Sequence, residues 1–220
     1  MLAEHHLRKA FLQATTSMDV AIVSLGAGNV HSLYRAFRRV SGCTVAVTDC
    51  PKLVRAADRV VVPGQGSTLA CLSYLQARPG LRTSVMHALR TKPALCICLG
   101  LQMMARGTHE GMGACLGIMD SYAIPLPHCT RVPHVGWRTV RITERHRVMD
   151  GLACRPRFYF AHSYFVSPGL RGRTIAVAIH GGLPFPSVVV RDNIVATQFH
   201  PERSSRDGMA LCANFLRWKP

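Results

Sequence analysis

The chain has 220 residues, 48% of them hydrophobic, which is enough to bury the core of one α/β domain. No apolar run approaches the ~20 residues that span a bilayer, so neither a membrane-spanning segment nor a membrane partner is expected. A formal net charge of +16 raises a nucleic-acid reading, but the arginines are scattered, aromatic residues make up only 7%, and no DNA- or RNA-binding motif is present, so nucleic acid is not an expected partner.

Residues 1–17 are basic and mildly apolar, without the sustained hydrophobic stretch of a signal peptide. They read as a poorly ordered extension before one domain over residues 18–220. Residues 20–24 read as a strand and 29–39 as a helix, joined through Gly26-Ala27-Gly28. The third glycine of a dinucleotide fingerprint is missing, so a tight strand-to-helix turn is the reading. Short apolar strands follow at 44–48 and 59–62, then helices at 67–76 and 81–90 and a strand at 94–97. Continuous apolar strands alternating with helices predict a mostly parallel sheet with helices on both faces. Further on, short strands at 138–142, 158–162, 175–179, 188–191 and 194–197 add antiparallel pieces, with Arg191-Asp192-Asn193-Ile194 as a hairpin turn. A helix over 206–217 closes the chain.

The nine cysteines form no paired CxxC layout. Cys96 and Cys98 stand at strand spacing, which points them to opposite faces. No metal or other cofactor is expected, and a reducing, cytoplasmic setting fits the cysteine usage.

One cysteine stands apart. Ala94-Leu95-Cys96-Ile97 leads directly into Cys98-Leu99-Gly100-Leu101-Gln102, and Met103-Met104-Ala105 continues with helical character. A strand, a sharp turn and a helix start with a thiol at the bend make the cysteine version of a nucleophile elbow. The positive end of the helix dipole would favour thiolate there. Far downstream, Gln198-Phe199-His200-Pro201-Glu202 closes a strand with a histidine and a carboxylate one residue apart. Cys98, His200 and Glu202 thus supply nucleophile, base and orienting acid in chain order.

From about residue 20 onward the chain resembles the class I (triad) glutamine amidotransferases, and among them the glutaminase subunits of imidazole glycerol phosphate synthase. The likeness rests on Pro63-Gly64-Gln65-Gly66, Ile97-Cys98-Leu99-Gly100-Leu101-Gln102, Val132-Pro133-His134-Val135-Gly136-Trp137, Tyr159-Phe160-Ala161-His162-Ser163-Tyr164 and Gln198-Phe199-His200-Pro201-Glu202. The elbow and the His-Pro-Glu segment mark the superfamily; the other three point to the histidine-pathway branch. The resemblance implies a flavodoxin-like α/β fold and hydrolysis of L-glutamine to glutamate and ammonia. It also implies a (β/α)8 cyclase partner that receives the ammonia and makes imidazole glycerol phosphate and AICAR.

Carried over residue by residue, the resemblance places oxyanion donors at Gln65 and Leu99. Substrate contacts fall at Gly64, Gly66, Gln102, Glu110, Ser163 and Tyr164. A partner interface and gate fall at Trp137, Arg138, Tyr159 and Arg203. Arg138 stands where the family usually has asparagine, and Arg203 where lysine is common. These departures keep open a paralogous glutaminase subunit feeding another amidation; a non-catalytic basic binding module is a further alternative, against which the intact Cys98, His200 and Glu202 stand. Part of the +16 charge is expected to face an acidic synthase surface.

Overall fold

A computed structural model describes residues 18–26, 30–64, 66–128, 130–167 and 172–220. The expected extension 1–17 and the expected oxyanion residue Gln65 lie outside the described residues.

In chain order the elements are β1 (Val20–Val23), α1 (Val30–Ser41), β2 (Val45–Thr48), α2 (Pro51–Ala56), β3 (Arg59–Val62), α3 (Thr68–Gln76), α4 (Pro79–Thr91), β4 (Ala94–Ile97) and α5 (Leu99–Met103). They continue with β5 (Gly107–Thr108), β6 (Gly113–Ala114), β7 (Tyr122–Pro125), β8 (His134–Thr139), β9 (Arg141–Ile142), β10 (Arg157–His162) and β11 (Tyr164–Val166). The last are β12 (Arg173–His180), β13 (Leu183–Arg191), β14 (Ile194–Thr197) and α6 (Ser205–Arg217).

Among the described residues the main sheet runs β2-β1-β3-β4-β14-β13-β12-β9. Its first five strands are mutually parallel, and β14-β13-β12-β9 are joined antiparallel. The mostly parallel α/β sheet expected from the sequence is thus present, with the antiparallel additions at one side.

Strand periodicity divides the core. Successive side chains point to opposite faces, so Val20, Ile22, Val61, Leu95 and Ile97 pack with Phe37 of α1 and with Leu211 and Phe215 of α6. Ala21, Val23, Val60, Val62, Ala94 and Cys96 pack with Val54 of α2, Leu75 of α3 and Val85 and Leu89 of α4. Helices therefore cover both faces, which is why these strands carry continuous apolar runs rather than alternation.

Several elements differ from the sequence expectation. The helix after the elbow ends at Met103, so it is five residues long and too short to act as a full helix dipole. The helix α2, with only Val54 buried, carries too little periodicity to be read. Strand β13 begins at Leu183, before Pro184 and Pro186, because those prolines lie where it pairs β12 alone; pairing with β14 starts at Val188. The 138–142 strand is two pieces: β8 pairs β10 in its own sheet, and β9 joins the edge of β12. No helix among the described residues is long and apolar enough to cross a membrane.

Candidate active site

The centre of the site is where the parallel strands β4 and β14 end side by side. Thr197 pairs with Ile97, so the residues just beyond each strand meet. The Cys98 N–H donates to the Thr197 carbonyl at 2.6 Å, and the Cys98 carbonyl accepts from the Gln102 N–H. Between these anchors Cys98 takes φ 52° and ψ −101°. A non-glycine residue held there stores on the order of 1–3 kcal/mol of strain and projects its side chain away from the sheet. The elbow packs closely: a Cβ on Gly100 would lie 2.2 Å from the Val62 carbonyl oxygen, and one on Gly64 would lie 2.0 Å from Leu99 Cβ. Only glycine lets β3 and its Pro63–Gly64 loop approach the elbow at Cys98 this closely.

His200 is fixed from the neighbouring strand. Its N–H donates to the Tyr159 carbonyl at 2.9 Å. Its own carbonyl accepts from Ser204 Oγ at 2.5 Å, and Ser204 Oγ accepts from the Tyr159 N–H. Phe199 turns the opposite way and stacks on Phe158 with centroids 3.8 Å apart. The alternation of the strand thus buries Phe199 as an anchor while presenting His200 to Cys98.

The His200 Nδ1 lies 2.9 Å from Glu202 Oε1, with the two side chains 3% and 1% exposed. Burial alone would push the imidazole down. Negative charge at Cys98, hydrogen bonds to Cys98 and Glu202, and the Glu202 charge outweigh it and raise the pKa to about 10. With Nδ1 donating to the carboxylate, Nε2 is the nitrogen directed at the sulfur. The Cys98 thiol, the His200 imidazole and the Glu202 carboxylate are therefore in one hydrogen-bonded line.

Cys98 opens into a cavity of about 420 Å³ lined by Gly64, Gly66, Leu99, Gln102, Glu110, Ser163 and Tyr164, together with His162, His200 and Arg203. Every described residue expected to contact substrate or oxyanion is brought together here. Leu99 is the first residue of α5, so its N–H has no carbonyl four residues back within the helix. Gln102 is held at both ends of its amide: Oε1 accepts from Thr68 Oγ1 at 3.2 Å, and Nε2 donates to the Tyr164 carbonyl. Glu110 Oε2 accepts from the Thr68 N–H at 2.8 Å. Thr68 therefore ties Gln102 and Glu110 into one wall of the cavity.

Three buried histidines back the opposite wall. His162 Nδ1 donates to the Tyr164 carbonyl, so its Nε2 accepts from His134 Nδ1 at 3.0 Å. His134 stacks on His180 at 4.1 Å. Burial, and then the neighbouring histidines, lower His134 to about 3; burial lowers His162 to about 4 against its bond to Tyr164. Both are neutral at pH 7, and His162 has no ring nitrogen available for proton transfer with Cys98.

Of the residues expected at a partner surface, Arg203 lines the Cys98 cavity, and Tyr159, Trp137 and Arg138 connect to it in turn. Trp137 and Tyr159 are cross-strand partners with edge-on rings 6.2 Å apart. The Arg203 guanidinium lies 4.2 Å over the Tyr159 ring, and Arg138 donates to the Trp137 carbonyl. A larger open cavity of about 970 Å³ lies at the other end of β14, lined by Arg145, Arg147, Arg173, Arg191 and Lys219, but it holds no nucleophile–base pair. No group of residues that could hold a metal ion occurs among the described residues.

Gln198 was assigned no role from sequence. The signal was there: it stands two residues before His200, and a period of two places both on one side.

A thiol, an imidazole and a carboxylate lie together at the end of a mostly parallel sheet. The family model for class-I glutamine amidotransferases matches residues 21–218, and the chain belongs to that family. It is 42% identical over 211 residues to the imidazole glycerol phosphate synthase subunit HisH of Dechloromonas aromatica, covering 91% of this chain and 97% of that protein. It is 41% identical to the subunit of the same name from Nitrosomonas europaea, covering 92% and 99%. Among solved structures, a glutamine amidotransferase aligns with TM-score 0.71 at 17% identity over 90% of this chain and 97% of that one. A glutamine amidotransferase from Thermotoga maritima aligns with TM-score 0.62 at 16% identity over 87% and 79%.

Proposed function

We propose that this chain is the glutaminase subunit of an imidazole glycerol phosphate synthase, hydrolysing L-glutamine to glutamate and ammonia for histidine biosynthesis. The family membership and the names of relatives near 40% identity support the reaction and the complex. The observation that carries the residue roles is the buried line from Cys98 through His200 to Glu202 at the floor of a cavity.

In this reading the Cys98 sulfur attacks the side-chain amide carbon of glutamine. The C=O π pair moves to oxygen, where the amides of Leu99 and Gln65 are the proposed donors. His200 Nε2 gives its proton to the departing nitrogen, the C–N bond breaks, and ammonia leaves a thioester on Cys98. Water, deprotonated by His200, then cleaves the thioester to glutamate and regenerates the thiolate. Glu202 holds the imidazole in the tautomer that faces sulfur and favours its cation. Gly64, Gly66, Gln102, Glu110, Ser163 and Tyr164 shape the glutamine pocket. Trp137, Arg138, Tyr159 and Arg203 would meet the (β/α)8 cyclase that takes up the ammonia.

The test mixes the chain with glutamine, with and without the cyclase and its substrate, and follows glutamate release. Release that rises with the partner and vanishes in Cys98→Ala supports the reading. Absence of glutamate under every condition would end it.

A further inference from the structure

Gln198 makes a contact that the triad does not include. It is fully buried on the His200 side of the strand, and its Nε2 donates to Cys98 Sγ at 3.6 Å. Its backbone N–H donates to the Ser187 carbonyl, which fixes the main chain. The other end of the side-chain amide has nothing to hold: Oε1 is buried without a hydrogen-bond partner. Among the described residues the sulfur is thus the one hydrogen-bond partner of the Gln198 side-chain amide. A neutral thiol is a weak acceptor, and a buried amide aimed at one alone would be a poor arrangement. Against a thiolate the same bond is charge-assisted and strong.

The other surroundings of the sulfur give that donor a purpose. The Cys98 thiol donates to the Ala161 carbonyl of β10 at 4.0 Å, a contact that favours the neutral thiol over negative charge there. His200, backed by Glu202, favours it. The remaining titratable groups of the same cavity are Glu110, His162, Tyr164 and Arg203. The Gln198 side-chain N–H offsets the Ala161 carbonyl, and it remains when His200 gives up its proton.

We propose that Gln198 is a positioning residue: its side-chain amide holds the Cys98 sulfur as thiolate and keeps it aimed into the cavity, independently of His200. The proposal rests on Cys98 being the nucleophile, and its test needs no glutamine.

The experiment follows alkylation of Cys98 by iodoacetamide in the full chain, read on the Cys98 peptide by mass spectrometry at pH 7 and pH 10. In Gln198→Met, which keeps volume and removes the donor, the rate at pH 7 falls about tenfold and recovers at pH 10. Gln198→Glu, which places a carboxyl beside the sulfur, is slower still at pH 7. An unchanged rate, or one lowered equally at both pH values, overturns the proposal, because a space-filling role has no pH dependence. A second measurement needs no variant at this position: the side-chain amide NMR signal of Gln198 shifts when Cys98 is alkylated, and an unmoved signal overturns the proposal. A chain that alkylates as described but never releases glutamate would sink the glutaminase reading alone.

Discussion

His200 Nδ1 and Glu202 Oε1 stand 2.9 Å apart with both side chains sealed from water. An ion pair at a surface is worth little, but one removed from solvent cannot lose a partner without leaving an uncompensated charge. Glu202 Oε2 has no hydrogen-bond partner of its own, so the carboxylate is committed to the imidazole. This pair, together with the neighbouring Cys98, holds His200 in its cationic form.

Glu202→Gln should therefore keep the shape and lose the chemistry. An amide in place of the carboxylate can turn its NH2 toward Nδ1, favouring the wrong tautomer and removing the charge that supports the cation. Glutamate release is expected to fall by about 10²–10⁴-fold in kcat. KM for glutamine should change far less, because Glu202 does not line the cavity. Steady-state kinetics check this; a KM effect with kcat intact would mean that Glu202 serves substrate binding instead.

Stability should fall on both sides of neutrality, for different histidines. His134 and His162 have folded pKa values near 3 and 4, below the ordinary 6.5. Below pH 6.5 the unfolded chain binds protons that the folded chain refuses, so stability is lost as pH falls from 6.5 toward 4. The loss is on the order of 2 kcal/mol for each at pH 5. His200 acts oppositely: with its pKa raised to about 10, its contribution is complete below pH 6.5 and is lost as pH rises from there toward 10. Urea midpoints at pH 5, 7 and 9 should peak near 7, and His134→Phe should flatten the acid side. An acid side unchanged in that variant would show that His134 does not titrate as described.

What could be read from the sequence, and what could not, follows from range. Cys98 and the His200–Glu202 pair were legible because each sits in a short segment whose local pattern, strand then bend, carries the signal. The apolar runs at 20–24, 59–62 and 94–97 gave the parallel strands for the same reason. The buried stack of His134, His162 and His180 joins three strands far apart in the chain, and no local pattern announces it. Strands β5 and β6 have two residues each, below any periodicity. The mutual bracing of Gln102 and Glu110 through Thr68 also appears only once the α3 start meets the elbow helix.

The rim of the cavity should be a docking surface. Val135 and Trp137 are 53% and 37% exposed, an apolar pair beside the Arg203–Tyr159 contact. Large aromatics at such positions dominate binding energy. Trp137→Ala is expected to weaken association with the cyclase by about tenfold or more. With a net charge of +16 on this chain, the affinity should also fall as salt is raised from roughly 50 to 300 mM. Titration calorimetry reads both; an affinity indifferent to salt would remove the acidic-partner expectation.

Gly64 tests whether the loop after β3 must lie against the elbow. A Cβ there would sit 2.0 Å from Leu99 Cβ and 2.6 Å from the Gly100 nitrogen, neither of which is the end of a flexible side chain. Gly64→Ala must therefore push the Pro63–Gly64 loop off the elbow, and with it the oxyanion donor proposed above for that loop. The expected result is a loss of about 10²–10³-fold in glutamate release, with Cys98 alkylation retained because the sulfur and His200 are untouched. Gly66 differs in kind: a Cβ meets nothing within 4 Å, but its φ of +96° is strained for any other residue. Gly66→Ala should thus cost about 1 kcal/mol in stability and less activity than Gly64→Ala. The order of the two variants decides the matter: if Gly64→Ala hydrolyses glutamine as fast as the unmodified chain, close packing of loop on elbow has no part in catalysis.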